Sequence, residues 1–303
     1  MYNMELKHLS NTAAKQVIDA TRAYKELMRT RGLLQTLGGR MFWKLSGNYV
    51  YLAQRSFFDS RKVQNLGIKS DQTEQRLKDY EAERARLQQR ASALQERISV
   101  HERMNKAVRA GAVANSVIDA IRLLESAGIS EDCFWVGTPA QHAYWQCCGL
   151  EAPKLLGDGE DLGQHLVFVK RKIDARSLNR LFRCKALKFE AVRGEQTTLL
   201  IIKTKVSTYL DVDIGLLEAH TQRRYSEFFQ DTVREYIDLI IDCSAQIPAF
   251  EQVLISKTGQ MGLMRTVDPR FLRAWNTLFG LATREEASFQ MLLESSLLAR
   301  KNG

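Results

Sequence analysis

Asp158 and Glu160 are two carboxylates at a spacing of two, and they follow a Val136-Gly137-Thr138-Pro139 turn by about twenty residues. The apolar run 133–136 (Cys-Phe-Trp-Val) reads as a buried strand. Gly137 then turns the chain. Thr138 suits an N-cap, and Pro139 suits the first helical position, where its missing N–H would be unpaired anyway. The helix continues through Ala143, Tyr144 and Trp145. A strand, a tight turn and a helix start together aim free N–H groups and a partial positive charge at one point, which suits a phosphate. Residues i and i+2 of a strand share a face, so Asp158 and Glu160 could hold one divalent cation through oxygen. A phosphate cradle beside an acidic cation seat is the minimum apparatus of nucleotidyl transfer. Both motifs are short, and the plainer reading of the same residues is a capped helix followed by a polar turn.

Other chemistry finds little footing. The five cysteines (Cys133, Cys147, Cys148, Cys184 and Cys243) include no Cys-x-x-Cys and have no His at ligand spacing. Cys147 and Cys148 read as small apolar packing residues. His142, His165 and His220 are scattered without a partner pattern, so nothing points to a Ser-His-Asp or Cys-His enzyme.

A chain of 303 residues, 45% hydrophobic and 26% charged, has the composition of a globular protein of about two domains. No run approaches the roughly 18 apolar residues that span a bilayer, and the N-terminus lacks the basic and apolar regions of a signal peptide. The expected location is the cytoplasm, with no membrane partner. The net charge of +9 is unevenly placed. Residues 1–112 hold 21 of the 44 Lys/Arg and 11 of the 35 Asp/Glu, a net of +10, and residues 113–303 carry −1. Such asymmetry points to a polyanion held by one part of the molecule, against the plainer alternative of a well-solvated helical surface.

That first part reads as an arm. Residues 10–36 form a helix, with a cap from Ser10-Asn11-Thr12, apolar repeats at Val17, Ala20, Tyr24, Leu27 and Leu34, and a stop at Gly38-Gly39. Alternation at Met41, Trp43 and Leu45, a Ser46-Gly47-Asn48 turn, and alternation at Tyr49, Tyr51 and Ala53 predict a β-hairpin, with 61–66 as a third short strand. A second helix follows from Ser70-Asp71 to about Arg109, with a capping box expected between Asp71 and Glu74. Leu77, Arg84, Ala91 and Ile98 fall on a positions of a heptad, and Tyr80, Leu87, Leu94 and His101 on d positions. His101 is expected to be a partly buried packing residue. The assembly predicted is two antiparallel helices, a coiled-coil arm, joined by a β tip. The tip carries Arg40, Trp43, Lys44, Tyr49, Tyr51, Arg55, Arg61 and Lys62. Bases stack on rings and phosphates pair with cations, so this composition suits RNA or DNA. A hairpin also needs one buried face, which assigns about half of the aromatic residues to the tip's own core. The long helices could equally pair a homodimer or hold a partner protein.

Residues 113–303 read as a mixed sheet with flanking helices. A helix over 113–127 ends at Gly128. The strand and Gly-Thr turn come next, then a strand at 166–169, a basic helix at 177–187 and a strand pair at 189–192 and 197–202. Asp211-Val212-Asp213 is a second alternating acidic pair within 207–214. A helix over 225–243, a hairpin of 250–255 with 262–266 around Lys257-Thr258-Gly259, and C-terminal helices from Asp268-Pro269 to about Arg300 complete the chain.

These motifs resemble bacterial nucleotidyltransferase-fold proteins of the polymerase-β-like superfamily that carry an N-terminal helical arm, over nearly the whole chain. Phe42-Trp43-Lys44 with Tyr49-Val50-Tyr51-Leu52 resembles that family's hairpin, and residues 103–109 with Gly111 its arm-to-core junction. Val136-Gly137-Thr138 with Ala143-Tyr144 and Gly149 is similar to its Gly-Thr motif, and Gly157-Asp158-Gly159-Glu160 stands at its Gly-Asp-x-Asp. Residues 250–253, Gly259, Met264-Arg265 and 268–271 resemble its C-terminal segment. The resemblance implies an α+β fold and a metal-dependent transfer of a nucleotidyl group from an NTP to a hydroxyl of RNA or protein. It implies Gly137 and Thr138 on the triphosphate and Asp158 and Glu160 on Mg²⁺ or Mn²⁺; Asp211, Asp213, Glu190 or Glu195 could substitute for the family's third carboxylate, with Asp211 and Asp213 taken as further metal ligands and Asp158, Glu160 and Asp213 as the catalytic acids. Three departures imply weakened chemistry. Glu160 replaces an Asp, the strand 197–202 lacks the third carboxylate, and Ala274-Trp275 stands where the family has His-Lys. The alternative is a catalytically inactive scaffold of the same fold that binds nucleic acid or a partner protein through its basic arm.

Overall fold

A computed structural model describes residues 7–55, 62–135, 138–151, 164–169, 187–193, 198–204, 249–266 and 268. The described elements make a mixed α+β protein, with an antiparallel three-stranded sheet and a mixed six-stranded one. The chain divides into two compact units, one of Asp19–His101 and the other of Met1–Ile18 with Glu102–Gly303. The helices expected at 177–187 and 225–243, the segment 207–214 and the C-terminal helices lie outside the described residues.

The first unit holds most of helices α1 (Asn11–Thr36) and α2 (Asp71–Ala107), which precede and follow in sequence the small sheet β1 (Met41–Ser46), β2 (Tyr49–Arg55) and β3 (Val63–Ile68). The partners run in opposite directions along the two helices. Tyr80 Oη donates to the Gly39 carbonyl at 2.8 Å, Arg90 pairs with Glu26, and Asp19 acts on His101. α1 buries one face through Ala20, Ala23, Tyr24, Leu27 and Thr30, the three-and-four spacing of a single helical stripe. Its small alanines permit close approach. On α2 each of the eight a and d positions is buried or half-buried, Arg84 included.

The start of α2 differs from expectation. The reciprocal cap joins Ser70 and Thr73, not Asp71 and Glu74. Ser70 N donates to Thr73 Oγ1 at 2.8 Å and Thr73 N donates to Ser70 Oγ at 3.3 Å. A hydroxyl is short enough to face the backbone of a residue three positions away, and Glu74 turns instead to Lys69 at 3.2 Å. At the hairpin, Gly47 takes a positive φ of 60° as the first residue of a two-residue loop, which favours a right-twisting primed turn.

In the second unit the strands β4 (Cys133–Trp135), β5 (Gln164–Val169), β6 (Leu187–Arg193), β7 (Thr198–Thr204), β8 (Phe250–Ile255) and β9 (Met261–Thr266) assemble in the order β6-β7-β5-β4-β9-β8. All neighbours are antiparallel except β4 and β9, which pair in parallel at Trp135 and Thr266. Helices α3 (Asn115–Ser126) and α4 (Thr138–Cys148) belong to this unit. Val117, Ile118, Ile121 and Leu124 of α3 form the core with Ile129, Trp135, Leu254 and Met264. α3 settles on β9 at Gly262, where a Cβ would crowd the Ile121 side chain, and Arg122 Nε donates to the Met261 carbonyl at 2.9 Å. Edge strand β8 is covered from α4. Gln146 Nε2 donates to the Val253 carbonyl, and Gln146 Oε1 accepts from Ile255 N at 3.2 Å. One amide thus supplies the missing ladder partner and blunts the edge.

Three helices end alike. Ala110 N bonds to the Asn105 carbonyl and Arg109 N to the Lys106 carbonyl, and the same pattern recurs around Gly128 after α3 and Gly149 after α4. This six-to-one and five-to-two closure needs a left-handed residue at its centre. Gly128 (φ 72°) and Gly149 (φ 69°) supply it readily, whereas α2 uses Arg109 at φ 52°. So α2 is stopped by Arg109. Gly111 has a different task, because a Cβ there would overlap the backbone carbonyls of Ile255 and Ser256.

Candidate functional site

The six-stranded sheet has one end to which the strands nearest in sequence to the expected residues run. β4 finishes there at Trp135. β5 runs antiparallel to it, with Trp135 opposite Val167, so β5 begins there at Gln164. Gln164 lies opposite Lys203, so β7 finishes there, and Thr204 lies opposite Leu187 of β6. The parallel pairing of Trp135 with Thr266 brings the end of β9 to the same place. The Gly137 turn follows β4, Asp158 and Glu160 precede β5, Asp211 and Asp213 follow β7, and Asp268 follows β9.

The described side chains at this end form a buried knot. Thr266 Oγ1 donates to the Trp135 carbonyl at 2.7 Å and accepts from Tyr144 Oη at 3.2 Å. The Tyr144 ring meets Phe250 edge to face at 5.1 Å. Burial pushes the Tyr144 phenol far above its ordinary value of 10.0, the bond to Thr266 works in the opposite direction, and the negative charge of Asp268 adds to the rise. Tyr144 is therefore a structural hydroxyl that keeps its proton. Thr266 and Asp268 were not among the expected site residues. The signal was present, since Met264 and Thr266 sit on the buried side of β9 and Asp268 continues that spacing of two.

Of the expected phosphate and metal residues, Thr138 is the first residue of α4. Gly137, Asp158, Glu160, Asp211 and Asp213 lie outside the described residues, as does Arg61 of the tip. Among the described residues no three His, Cys, Asp or Glu side chains converge as a metal would require. Cys133 and Cys148 are buried, and Cys133 Sγ donates to the Ile129 carbonyl at 3.1 Å.

The tip separates its residues by face. Trp43 lies opposite Leu52, and Leu52 is fully buried. Lys69 stands over the Trp43 ring at 5.7 Å. From the same face Gln54 donates through Nε2 to the Leu37 and Gly39 carbonyls at 2.7 and 3.3 Å. This is the inward face. On the outward face Lys44 lies opposite Tyr51, and Phe42 opposite Ala53. The Arg55 guanidinium stands over Phe42 at 5.6 Å, closing over the small Ala53 between them. Lys44, Arg55 and Lys62 are exposed, as is Arg40, whose carbonyl accepts from Arg55 N at 3.0 Å.

His101 is buried, and burial lowers its pKa from 6.5. Arg97 lowers it further and Asp19 opposes the shift. No helix among the described residues is long and apolar enough to cross a membrane. No family model, curated protein or solved structure matches the chain.

Proposed function

We propose that the unit containing the six-stranded sheet is a nucleotidyltransferase-like core that transfers a nucleotidyl group from an NTP to a hydroxyl of RNA or protein, at low rate. The observation that carries this reading is the sheet register. It brings together at one end of one sheet the strand ends that flank, in sequence, the Gly-Thr motif and both acidic pairs. Glu160 is tethered to Gln164 by four residues, a reach of at most about 14 Å, and Asp211 to Thr204 by seven, at most about 25 Å. Oxygen donors alone are the set that suits Mg²⁺ or Mn²⁺. Asp158, Glu160 and Asp211 or Asp213 would hold the cation, and Gly137 and Thr138 would receive the triphosphate. A divalent ion bound there supplies charge stabilisation for the attacking oxygen and the departing pyrophosphate. The chain's own part is to fix the phosphate at the start of α4 and to crowd the carboxylates around it.

The test is incubation of the full chain with NTPs labelled at the α-phosphate and mixed RNA and protein acceptors, in Mg²⁺ or Mn²⁺. Label transfer that vanishes with EDTA, and falls by about a hundredfold or more in Asp158→Ala, is the expected result. No transfer under either metal, or transfer indifferent to Asp158→Ala, ends the proposal.

A second reading has its own observation. β7 reads Thr-Leu-Leu-Ile-Ile-Lys-Thr and offers no acid beside β5. If chemistry has lapsed, the fold remains as a scaffold and the basic arm holds nucleic acid or a partner protein. Affinity for RNA or DNA that falls steeply with salt supports the nucleic-acid form, and salt-insensitive or undetectable binding removes it.

A further inference from the structure

We infer that the outward face of the tip sheet is a stacking platform for single-stranded nucleic acid. The inference rests on the reading of the arm as the part that holds a polyanion, and is independent of the chemistry of the core. The register puts Phe42, Lys44, Tyr49, Tyr51, Arg55 and Ile68 on one side of the sheet. Tyr49 remains 58% exposed and Ile68 52%, whereas Leu52 on the opposite side and Ala53 on this side, beneath Phe42 and Arg55, are buried. A small sheet needs one buried face for its own stability, and this one has it. The exposed Tyr49 ring is therefore surplus to folding, with the half-buried Phe42 and Tyr51 beside it, and it sits in water at a cost unless something covers it.

Charge selects the occupant. Residues 37–70 contain six Lys/Arg and one acidic residue, Asp59. Lys44 and Arg55 stand on the outward face itself, and Lys62 precedes strand β3. Rings interleaved with cations match a strand whose bases and phosphates alternate. A duplex keeps its bases stacked inside and offers only edges and phosphates, so it would use the cations and leave the rings uncovered. Tyr49 and Tyr51 meet edge to face, with centroids 6.4 Å apart. Such a pair closes one face of one ring and leaves the others for unstacked bases. Trp43, on the inward side with Lys69, belongs to the tip's own packing and takes no base.

The experiment uses the full chain and fluorescence anisotropy with labelled dT12, rU12 and a 12-base-pair DNA duplex, each titrated across 50–200 mM salt. The result expected is tighter binding of at least one single strand than of the duplex, and the two oligonucleotides show which sugar is preferred. Tyr49→Ala/Tyr51→Leu should weaken the single strand by at least about tenfold and leave the duplex unchanged. Leu retains an apolar group at the half-buried position, and Tyr49→Ala alone, at an exposed position, serves as a second variant in which folding is not at stake. Lys44→Gln/Arg55→Gln should lower the single-strand salt slope by about 1.4. Equal affinity for single strand and duplex, or a preference untouched by the tyrosine variants, overturns the platform and leaves the polyanion reading standing. Failure to bind any of the three overturns both.

Discussion

Asn105 Nδ2 donates to the Gly259 carbonyl at 3.1 Å, across 154 residues of chain. Asn105 is fully buried, and its Oδ1 accepts from Gln16 Nε2 at 2.9 Å. One amide therefore joins the start of α1, the last turn of α2 and the β8–β9 turn. Gly259 is held at φ 89°, and a Cβ on it would overlap the Glu102 carbonyl. Asn105→Leu takes its hydrogen bonds from the buried Gly259 carbonyl and from Gln16 Nε2 and should cost roughly 2–4 kcal/mol. Gly259→Ala adds left-handed strain and a backbone clash and should cost about 2 kcal/mol or more. Urea unfolding measures both. A loss under 0.5 kcal/mol for either would show that the β8–β9 turn does not depend on this joint.

The left-handed Arg109 predicts a gain. Arg109→Gly relieves a conformation that L-residues resist, and should stabilise by about 0.5–1 kcal/mol after the added freedom of the unfolded chain. The matching losses are Gly128→Ala and Gly149→Ala, each about 1 kcal/mol. Opposite signs at equivalent positions of three helix ends, read as Tm shifts, check the shared closure.

His101 predicts a pH dependence. Its folded pKa is lowered from 6.5, first by burial and then by Arg97, with Asp19 opposing. The folded state thus binds the proton less readily than the unfolded chain. Its contribution to stability is present above about 6.5 and is lost as pH falls from there through the lower folded value. The Tm difference between wild type and His101→Gln should shrink as pH drops from 8 to 5. A constant difference would place His101 in water.

Tyr144 predicts the alkaline counterpart. Its folded pKa is raised above 10.0, so its contribution is intact below that value and is lost as pH rises past it. Ultraviolet titration of the folded protein should therefore show a tyrosine that stays un-ionised past 10.0 and is missing from the Tyr144→Phe variant. Thr266→Val removes both the acceptor for Tyr144 and the donor to Trp135 and should cost about 2–3 kcal/mol. Tyr144→Phe should cost about 1 kcal/mol.

Much of the element map was legible because it is local. The three-and-four stripe of α1, the heptad of α2 with Leu87 and Ile98, and the alternation around Gly47 depend on residues within a few positions of one another. Helix starts were legible only to within a turn, and the Ser70–Thr73 cap in place of Asp71–Glu74 shows why. Neighbouring polar residues compete for the same backbone groups, and side-chain length decides.

What the sequence by itself determined is a set of amphipathic segments and a charge imbalance, since periodicity and composition are properties of the chain alone. Only the tertiary structure decided that β9 lies beside β4, 131 residues apart at the Thr266–Trp135 bond, and hence that the two strands finish at the same end of the sheet. The fold also decided that Trp43 faces inward while Tyr49 and Tyr51 face outward. The physical reason is common to both. A strand carries its alternation with it, but which face is covered and which neighbour it takes depend on burying apolar surface contributed by segments far away in the chain.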